Sequence, residues 1–258
     1  MANLSSDNLV LRTTPAPEVV CLTLNRPEKR NAVSEQMRQD LIEALNDPET
    51  ARCRAVILCG AGGAFSAGAD LVETVNVPSQ RRLQSWDRLM QTLANMPMPV
   101  IAAVEGLAFG AGFELALTCD MVVASQDARF ALPEVSYGFL PGCGGTQRLV
   151  RAIGKHRAMA VILTAQTLNA PEALAHGIAS CLCAPGTAQD TAITMAAKIA
   201  GFPEMAVNNT RRAIAQGMDL PLADGLKLER EMLLPLLDTL ELRDRAGRFK
   251  EPKTSNAE

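Results

Sequence analysis

Residues 99–149 read PVIAAVEGLAFGAGFELALTCDMVVASQDARFALPEVSYGFLPGCGGTQRL, and this stretch decides the fold. Its first six residues form a short apolar run that predicts a buried strand. Residues 106–112 hold three Gly and two Ala, too many small residues for the interior of a packed strand or helix. The apolar residues that follow predict a helix beginning near Gly112, and residues 121–124 predict the next strand. The pattern therefore indicates a strand, a tight Gly-rich loop, a helix and a second strand in succession.

Two carboxylates, Glu114 and Glu134, lie in this otherwise apolar stretch. Because burial disfavours the charged form of a carboxyl group, such a pair is a candidate for acid–base chemistry. Backbone N–H groups at the start of the predicted helix have no acceptor within the helix, so they can bind an anion or a developing oxyanion. A satisfied buried hydrogen bond or salt bridge remains the alternative reading for each carboxylate.

The rest of the chain continues this alternation. Residues 19–24 and 55–59 predict further buried strands, and apolar positions between Val33 and Leu45 recur at helical spacing. Buried strands that alternate with helices favour an α/β fold with mostly parallel strands. From residue 188 onward the sequence predicts helices only, and the charged residues beyond 250 predict a disordered end.

Composition excludes several classes of protein. The net charge of −3 gives no electrostatic footprint for nucleic acid. Seven scattered Cys without framework spacing predict reduced thiols in a cytoplasmic protein, and two His without a C-x-x-C motif predict no metal site. The first residues do not resemble a signal peptide, and no apolar run of about 18 residues exists, so we expect no membrane partner.

Motifs of other enzyme classes match poorly. Gly60-Ala61-Gly62 follows a predicted strand, but Phe65 stands where a dinucleotide-binding loop needs its third Gly. Gly154-Lys155-His156 lacks the Ser or Thr of a P-loop, and the G-x-S-x-G motif of a hydrolase is absent from the sequence.

Four strings occur in a recognisable order: LNRPEKRNAV (24–33), FSAGADL (65–71), PVIAAVEGLAFGAGFELALTCD (99–120) and FALPEVSYGFLPGCGGTQRL (130–149). Together they resemble the enoyl-CoA hydratase/isomerase family, the crotonases, over roughly residues 19–231. The resemblance implies a crotonase-like spiral of ββα units with the active site in residues 1–187. It also implies a C-terminal helical region in residues 188–258, which would form a homotrimer or a dimer of trimers and close the pocket.

The resemblance also implies a chemistry. The expected substrate is an acyl-CoA thioester, and no separate cofactor is expected because coenzyme A is part of the substrate. The backbone N–H groups of Ala69 and Ala111 would form the oxyanion hole. Glu134 would exchange a proton at the α-carbon while Glu114 directs the water, as in an enoyl-CoA hydratase. An isomerase of the same fold and a non-catalytic acyl-CoA-binding protein remain as alternatives.

Further residues are assigned to substrate binding. Lys29 and Arg30 are candidates for the phosphates of coenzyme A, although a solvated surface pair is an equally good interpretation. By the resemblance, the adenine would lie at the backbone of three residues, Ala32, Ala67 and Asp70. The predicted acyl pocket consists of Trp86, Met90, Tyr137 and Phe139. Because Trp86 and Met90 lie on a helical stripe, core packing is the alternative for these two.

Overall fold

The computed structural model describes residues 8–76 and 78–247. Within these residues the strands are β1 (Val10–Ala16), β2 (Val19–Leu24), β3 (Ala55–Gly60), β4 (Val100–Val104), β5 (Leu107–Phe109), β6 (Met121–Ser125), β7 (Arg129–Ala131), β8 (Leu168–Asn169) and β9 (Cys181–Cys183). The α-helices of the same residues are α1 (Glu35–Asn46), α2 (Pro48–Ala51), α3 (Leu71–Asn76), α4 (Ser79–Ala94), α5 (Ala111–Thr118), α6 (Gly145–Ile153), α7 (Lys155–Leu163), α8 (Ala170–Ala175), α9 (Ala188–Ala200), α10 (Glu204–Gly217), α11 (Leu222–Leu237) and α12 (Leu240–Gly247). Short 3-10 helices cover Pro27–Lys29 and Glu134–Tyr137.

The strands form two sheets. The larger has the order β1-β2-β3-β4-β6-β9, and every neighbouring pair is parallel except β1 with β2. The smaller has the order β5-β7-β8, with β5 and β7 parallel. The chain passes from the larger sheet to the smaller one and then into a helix, first as β4-β5-α5 and next as β6-β7-α6. This repeated ββα route is the spiral that the resemblance implied.

The central strands are buried on both faces. In β3, Val56 and Leu58 belong to the larger core cluster, whereas Ala55 and Ile57 belong to the second cluster on the opposite face. Successive side chains of a strand point to opposite faces, so burial on both sides requires the continuous apolar run seen in the sequence. Helix α9 covers the second face with an alanine at every fourth residue, Ala188, Ala192 and Ala196.

The chain divides into two compact units, with the boundary between Ala200 and Gly201. Helix α9 belongs to the first unit because it packs on the larger sheet. The division predicted at residue 187 falls before this helix, and the roles predicted for the two regions remain predictions. In the second unit α10 packs on α11, and Asn209 Nδ2 donates a hydrogen bond to Met232 O at 2.8 Å.

Most predicted elements are confirmed, with instructive differences. Strands β2 and β3 match residues 19–24 and 55–59, and α5 begins one residue before Gly112. The exclusion of a strand from residues 106–112 was wrong, because β5 lies there with Ala108 fully buried between its neighbours. The end beyond residue 250 lies outside the described residues.

Two features are absent from the described residues. None of their helices is long and apolar enough to cross a membrane. Nor do these residues contain a group of three or more His, Cys, Asp or Glu side chains that could hold a metal ion.

Candidate active site

The two loops that carry the predicted N–H donors lie side by side. Ser66 pairs with Ala108 in a parallel bridge, in which Ser66 N donates to Leu107 O at 3.0 Å. A Cβ atom added to Gly68 would lie only 3.2 Å from the backbone nitrogen of Ala111. The loop that precedes α3 is therefore held against the first turn of α5.

The N–H groups of Ala69 and Ala111 are both available to a ligand. In the parallel bridge between Val33 and Ala69, Val33 N donates to Gly68 O at 2.7 Å and Asp70 N donates to Val33 O at 3.2 Å. The N–H of Ala69 consequently points away from Val33. Ala111 is the first residue of α5, so its N–H has no acceptor within the helix. Neither N–H donates a hydrogen bond to a described residue, and paired donors of this kind suit a developing oxyanion.

Gly110 joins β5 to α5 and makes room for a carboxylate. Its φ of 50° and ψ of −128° are strained for any residue with a side chain. A Cβ at this position would lie 2.9 Å from Glu134 Oε1. Gly110 also donates its N–H to Ala131 O at 2.9 Å, and this bond ties the turn to the end of β7. A glycine at position 110 is therefore required both by the backbone turn and by the close approach of Glu134.

Glu114 lies in the first turns of α5 and is 1% exposed. Its Oε1 atom accepts hydrogen bonds from the backbone N–H groups of Cys143 and Gly145, both at 2.7 Å. Gly145 is the first residue of α6, so the carboxylate also lies at the positive end of that helix. Burial raises the pKa of Glu114, while these two N–H donors, the Cys143 side chain and the charge of Arg148 act in the opposite direction.

Glu134 begins the 3-10 helix after β7 and is 5% exposed. Its Oε2 atom is buried and has no hydrogen-bond partner among the described residues. Burial, with a further contribution from the charge of Glu114, raises the pKa of Glu134 to about 7, although the residue's own N–H acts against this.

The two carboxyl groups differ in their hydrogen bonds. Glu114 has two backbone donors that stabilise its charged form, whereas Glu134 has an oxygen without a donor. The charge of Glu114 adds to the rise in the pKa of Glu134, so the two carboxyl groups interact. With a pKa of about 7, Glu134 can hold or release a proton near neutral pH.

Two of the predicted adenine-binding residues, Ala32 and Asp70, lie against the guanidinium of Arg26. Arg26 Nη1 donates to Ala32 O at 3.2 Å and to Asp70 Oδ2 at 2.7 Å. Ala67 N donates to Arg30 O at 2.8 Å, which joins the same two loops a second time. The structure thus brings Ala32, Ala67 and Asp70 together, as the resemblance implied, although their binding role stays a prediction.

Asp70 also caps a helix, in addition to its predicted role in binding adenine. Its Oδ1 atom accepts from Val72 N at 3.0 Å and so caps the start of α3. Partial burial alone would raise the pKa of Asp70, but the Arg26 side chain and the capping N–H groups hold it below its ordinary value. Lys29 and Arg30 are exposed, and neither forms an ion pair within the part of the chain that the structure describes.

The residues predicted for the acyl pocket fall into two groups. Trp86 and Met90 lie in the core on α4, and the Arg38 guanidinium lies 4.8 Å from the centre of the Trp86 ring. Tyr137 and Phe139 are 61% and 46% exposed, with ring centres 6.4 Å apart. A cavity of about 240 Å³ between α4 and the loop before α6 is lined by Met90 but by none of the other three.

Sequence reasoning missed the residues that hold Glu114. Cys143 and Gly145 lie 29 and 31 residues further along the chain and donate backbone groups rather than side chains. The only signal was the Gly-rich string GCGG at residues 142–145, which is typical of a turn that exposes N–H groups. The role of Arg26 was missed as well, because nothing in its neighbouring residues indicates a partner 44 residues away.

Comparison with known proteins bears on this site. The family profile described as "Enoyl-CoA hydratase/isomerase" matches residues 16–257. The chain belongs to the enoyl-CoA hydratase/isomerase family. It is 38% identical over 234 residues to a protein of Rhizobium meliloti (strain 1021) named "Probable enoyl-CoA hydratase", an alignment that covers 88% of this chain and 90% of that protein. It is 36% identical to "Enoyl-CoA hydratase, mitochondrial" of Pongo abelii, with 91% of this chain and 82% of that protein covered.

Solved structures of this family share the fold. The crystal structure of an enoyl-CoA hydratase from Bacillus anthracis superposes with a TM-score of 0.88 at 33% identity, covering 94% of this chain and 96% of that one. The predicted crotonase-like α/β fold is therefore confirmed.

Proposed function

We propose that this protein is an enoyl-CoA hydratase, which adds water across the α,β-double bond of an enoyl-CoA thioester. The observation that carries the proposal is the pair of buried carboxyl groups in unlike environments, Glu114 with two N–H donors and Glu134 with an oxygen that lacks a donor. Membership of the family and the names of its relatives agree with this chemistry.

The thioester carbonyl is expected to bind between Ala69 and Ala111. Addition of water at the β-carbon moves negative charge onto the carbonyl oxygen, where the two N–H groups stabilise the resulting enolate. Loss of one such donor typically raises the barrier by about 2.7–4 kcal/mol. Because both donors belong to the backbone of short, hydrogen-bonded loops, they require little rearrangement when the charge develops.

The two carboxyl groups then divide the proton transfers. Glu114 orients the water and accepts its proton while the oxygen bonds to the β-carbon. Glu134 gives its proton to the α-carbon and restores the carbonyl, so the net change is the addition of H and OH. The raised pKa of Glu134 supports this division because it keeps a transferable proton on that residue near neutral pH.

The remaining features of the proposal concern the substrate and the assembly. Coenzyme A would bind with its phosphates near the exposed Lys29 and Arg30, and the reaction requires no further cofactor. A homotrimer or a dimer of trimers is supported by large apolar side chains exposed on α10–α12, which include Ile214, Leu222, Leu234 and Leu240. All seven cysteines are free thiols, which supports a cytoplasmic location.

Crotonyl-CoA provides the test, because hydration removes the ultraviolet absorbance of its conjugated enoyl group. We expect the wild type to remove this signal and Glu114→Gln and Glu134→Gln to slow its loss by about 10²-fold or more. Glu43→Gln, an exposed residue of α1, is the matched control and should behave as the wild type. Binding of the thioester without loss of the signal would refute the proposal, and migration of the double bond without water uptake would establish the isomerase instead.

A further inference from the structure

Ser66 lies where the two loops that carry the predicted N–H donors meet, and it is fully buried. Its backbone pairs with β5 on both sides. Ser66 N donates to Leu107 O at 3.0 Å, and Phe109 N donates to Ser66 O at 2.9 Å. Because Ala111 comes only two residues after Phe109, this pairing fixes Ser66 against the segment that leads to one of the two donors.

The Ser66 hydroxyl both donates and accepts a hydrogen bond. Its Oγ atom donates to Asn31 O at 2.8 Å and accepts from Gly68 N at 3.1 Å. A hydroxyl has a single hydrogen, so the bond to Asn31 leaves its lone pairs free for the Gly68 N–H. Asn31 is itself fully buried, and its Nδ2 atom donates to Ala61 O at 2.9 Å and to Ala64 O at 2.7 Å. The hydroxyl is therefore held by a residue that is fixed in turn.

The hydrogen bonds of Gly68 determine where the Ala69 N–H points. This N–H shares a peptide plane with Gly68 C=O, which accepts from Val33 N at 2.7 Å, and in a trans peptide the two groups point in opposite directions. Gly68 has a φ of 98° and the backbone freedom of a glycine. Bonds at its N–H, from Ser66, and at its C=O, from Val33, are what hold the next N–H in one direction.

The same side chain packs against the first turn of α5. A Cβ atom added to Gly112 would lie 2.8 Å from Ser66 Oγ and 2.6 Å from Ser66 O. Ser66 therefore touches the residue that follows Ala111, with no side chain between them. The hydroxyl and the backbone of this one residue contact the segments that carry both donors.

We propose that Ser66 is a positioning residue for the oxyanion hole: its hydroxyl orients the Gly68–Ala69 peptide so that the N–H points at the thioester carbonyl oxygen. The inference rests on the proposed function, in which this N–H and that of Ala111 stabilise the enolate. Ser66 acts through the peptide and does not itself touch the thioester. The effect on rate is large because a misplacement of about 1 Å can cost about 10²-fold.

Three variants separate this role from a contribution to stability alone. Ser66→Ala removes the hydroxyl and leaves Asn31 O and Gly68 N without this partner. Ser66→Cys fills nearly the same space with a thiol, which is a weak donor and acceptor, and it carries the test if Ser66→Ala does not fold. Ser125→Ala is the matched control. Ser125 is also fully buried and its Oγ also accepts from the N–H two residues later, that of Asp127, but it belongs to β6.

The carbonyl stretch of a bound thioester reports on the donors without any reaction. Butyryl-CoA labelled with ¹³C at the thioester carbonyl has no double bond to hydrate, and isotope-edited infrared spectra give its carbonyl frequency free and bound. Hydrogen bonds to the oxygen lower this frequency. We expect Ser66→Ala to lose up to about half of the wild-type shift because one of two donors is misplaced, Ser66→Cys to lie between, and Ser125→Ala to keep the full shift. The wild-type shift in both Ser66 variants, or an equal loss in Ser125→Ala, would overturn the proposal.

Turnover of crotonyl-CoA gives a second readout and separates this inference from the function on which it rests. We expect kcat to fall by about 10-fold or more in Ser66→Ala with KM changed by less than about 2-fold, because the donor acts mainly in the transition state. Ser125→Ala should keep the wild-type kcat. If the wild type does not hydrate crotonyl-CoA although the carbonyl shift depends on Ser66, the proposed function fails while the positioning role stands. If hydration occurs and Ser66→Ala matches Ser125→Ala in both readouts, the positioning role is wrong.

Discussion

Glu134 should make the stability of the fold depend on pH, and Glu134→Gln should remove that dependence. Burial raises the pKa of Glu134 from 4.5 to about 7 in the folded protein. Below the lower value the residue is protonated in both states. Between the two values the unfolded chain loses the proton and the folded protein keeps it, so the free energy of unfolding falls as pH rises. Above pH 7 or so both states are ionised and the loss is complete.

The size of the effect follows from this difference. A change of about 2.5 pH units, at about 1.36 kcal/mol per unit, gives at most about 3 kcal/mol. Solvent near the pocket screens part of the interaction, so we expect about 2 kcal/mol over the range from about pH 5 to about pH 8. Relative to the wild type, Glu134→Gln should therefore gain about this much free energy of unfolding across that range.

Denaturant unfolding of both proteins at a series of pH values measures the difference. Protein concentration must be held constant because assembly would contribute to the apparent stability. The exposed Glu43→Gln serves as the control, and its difference from the wild type should not vary with pH. Glu114→Gln removes the neighbouring charge, so it should shorten the pH interval over which the wild-type stability falls. A Glu134→Gln difference that stays constant within about 0.5 kcal/mol would refute the reasoning.

Three further predictions concern the site, the packing of α9 and the loops held by Arg26. Gly145→Ala places a Cβ 2.9 Å from Glu114 Oε1. It should lower turnover, and it should lower the free energy of unfolding by about 1–3 kcal/mol. Gly142→Ala is the control and should change neither, because its Cβ meets its nearest atom only at 3.8 Å. Ala192→Leu adds bulk on the fully buried face of α9 and should lower the free energy of unfolding, measured in urea, by about 1–3 kcal/mol. An unchanged midpoint of the urea unfolding curve would contradict the close packing of this helix on the sheet. Arg26→Gln should raise KM for the thioester more than it lowers kcat, because Arg26 joins two loops predicted to bind coenzyme A. A KM equal to that of the wild type would count against this prediction.

The strands of the larger sheet were predictable because each is an uninterrupted apolar run. Residues 55–59 carry no polar side chain, and a strand buried on both faces requires this. Strand β1 gives no such signal, because it is an antiparallel edge strand that contains Pro15 and is partly exposed. Strand β5 was missed because it has only three residues and lies between Gly106 and Gly110, two glycines that closely approach other parts of the chain and that do not favour strands.

The site could be predicted only in part. The carboxylates in an apolar stretch predicted two buried acids, and the burial of Glu114 and Glu134 is confirmed. The environment that makes them unlike depends on backbone groups of Cys143 and Gly145, and no local pattern reveals a contact across about thirty residues. The helical stripe placed Trp86 on a buried face correctly, but spacing alone does not distinguish a core residue from one that lines a pocket.

Transfer of oxygen from solvent tests the central claim most directly. The protein is incubated with crotonyl-CoA in water enriched in ¹⁸O, and the products are examined by mass spectrometry. The account predicts a 3-hydroxyacyl thioester that carries one ¹⁸O atom at the β-carbon, and neither Glu114→Gln nor Glu134→Gln should form it at a comparable rate. A product without ¹⁸O, or a label that appears equally fast in both variants, would contradict hydration by two carboxyl groups.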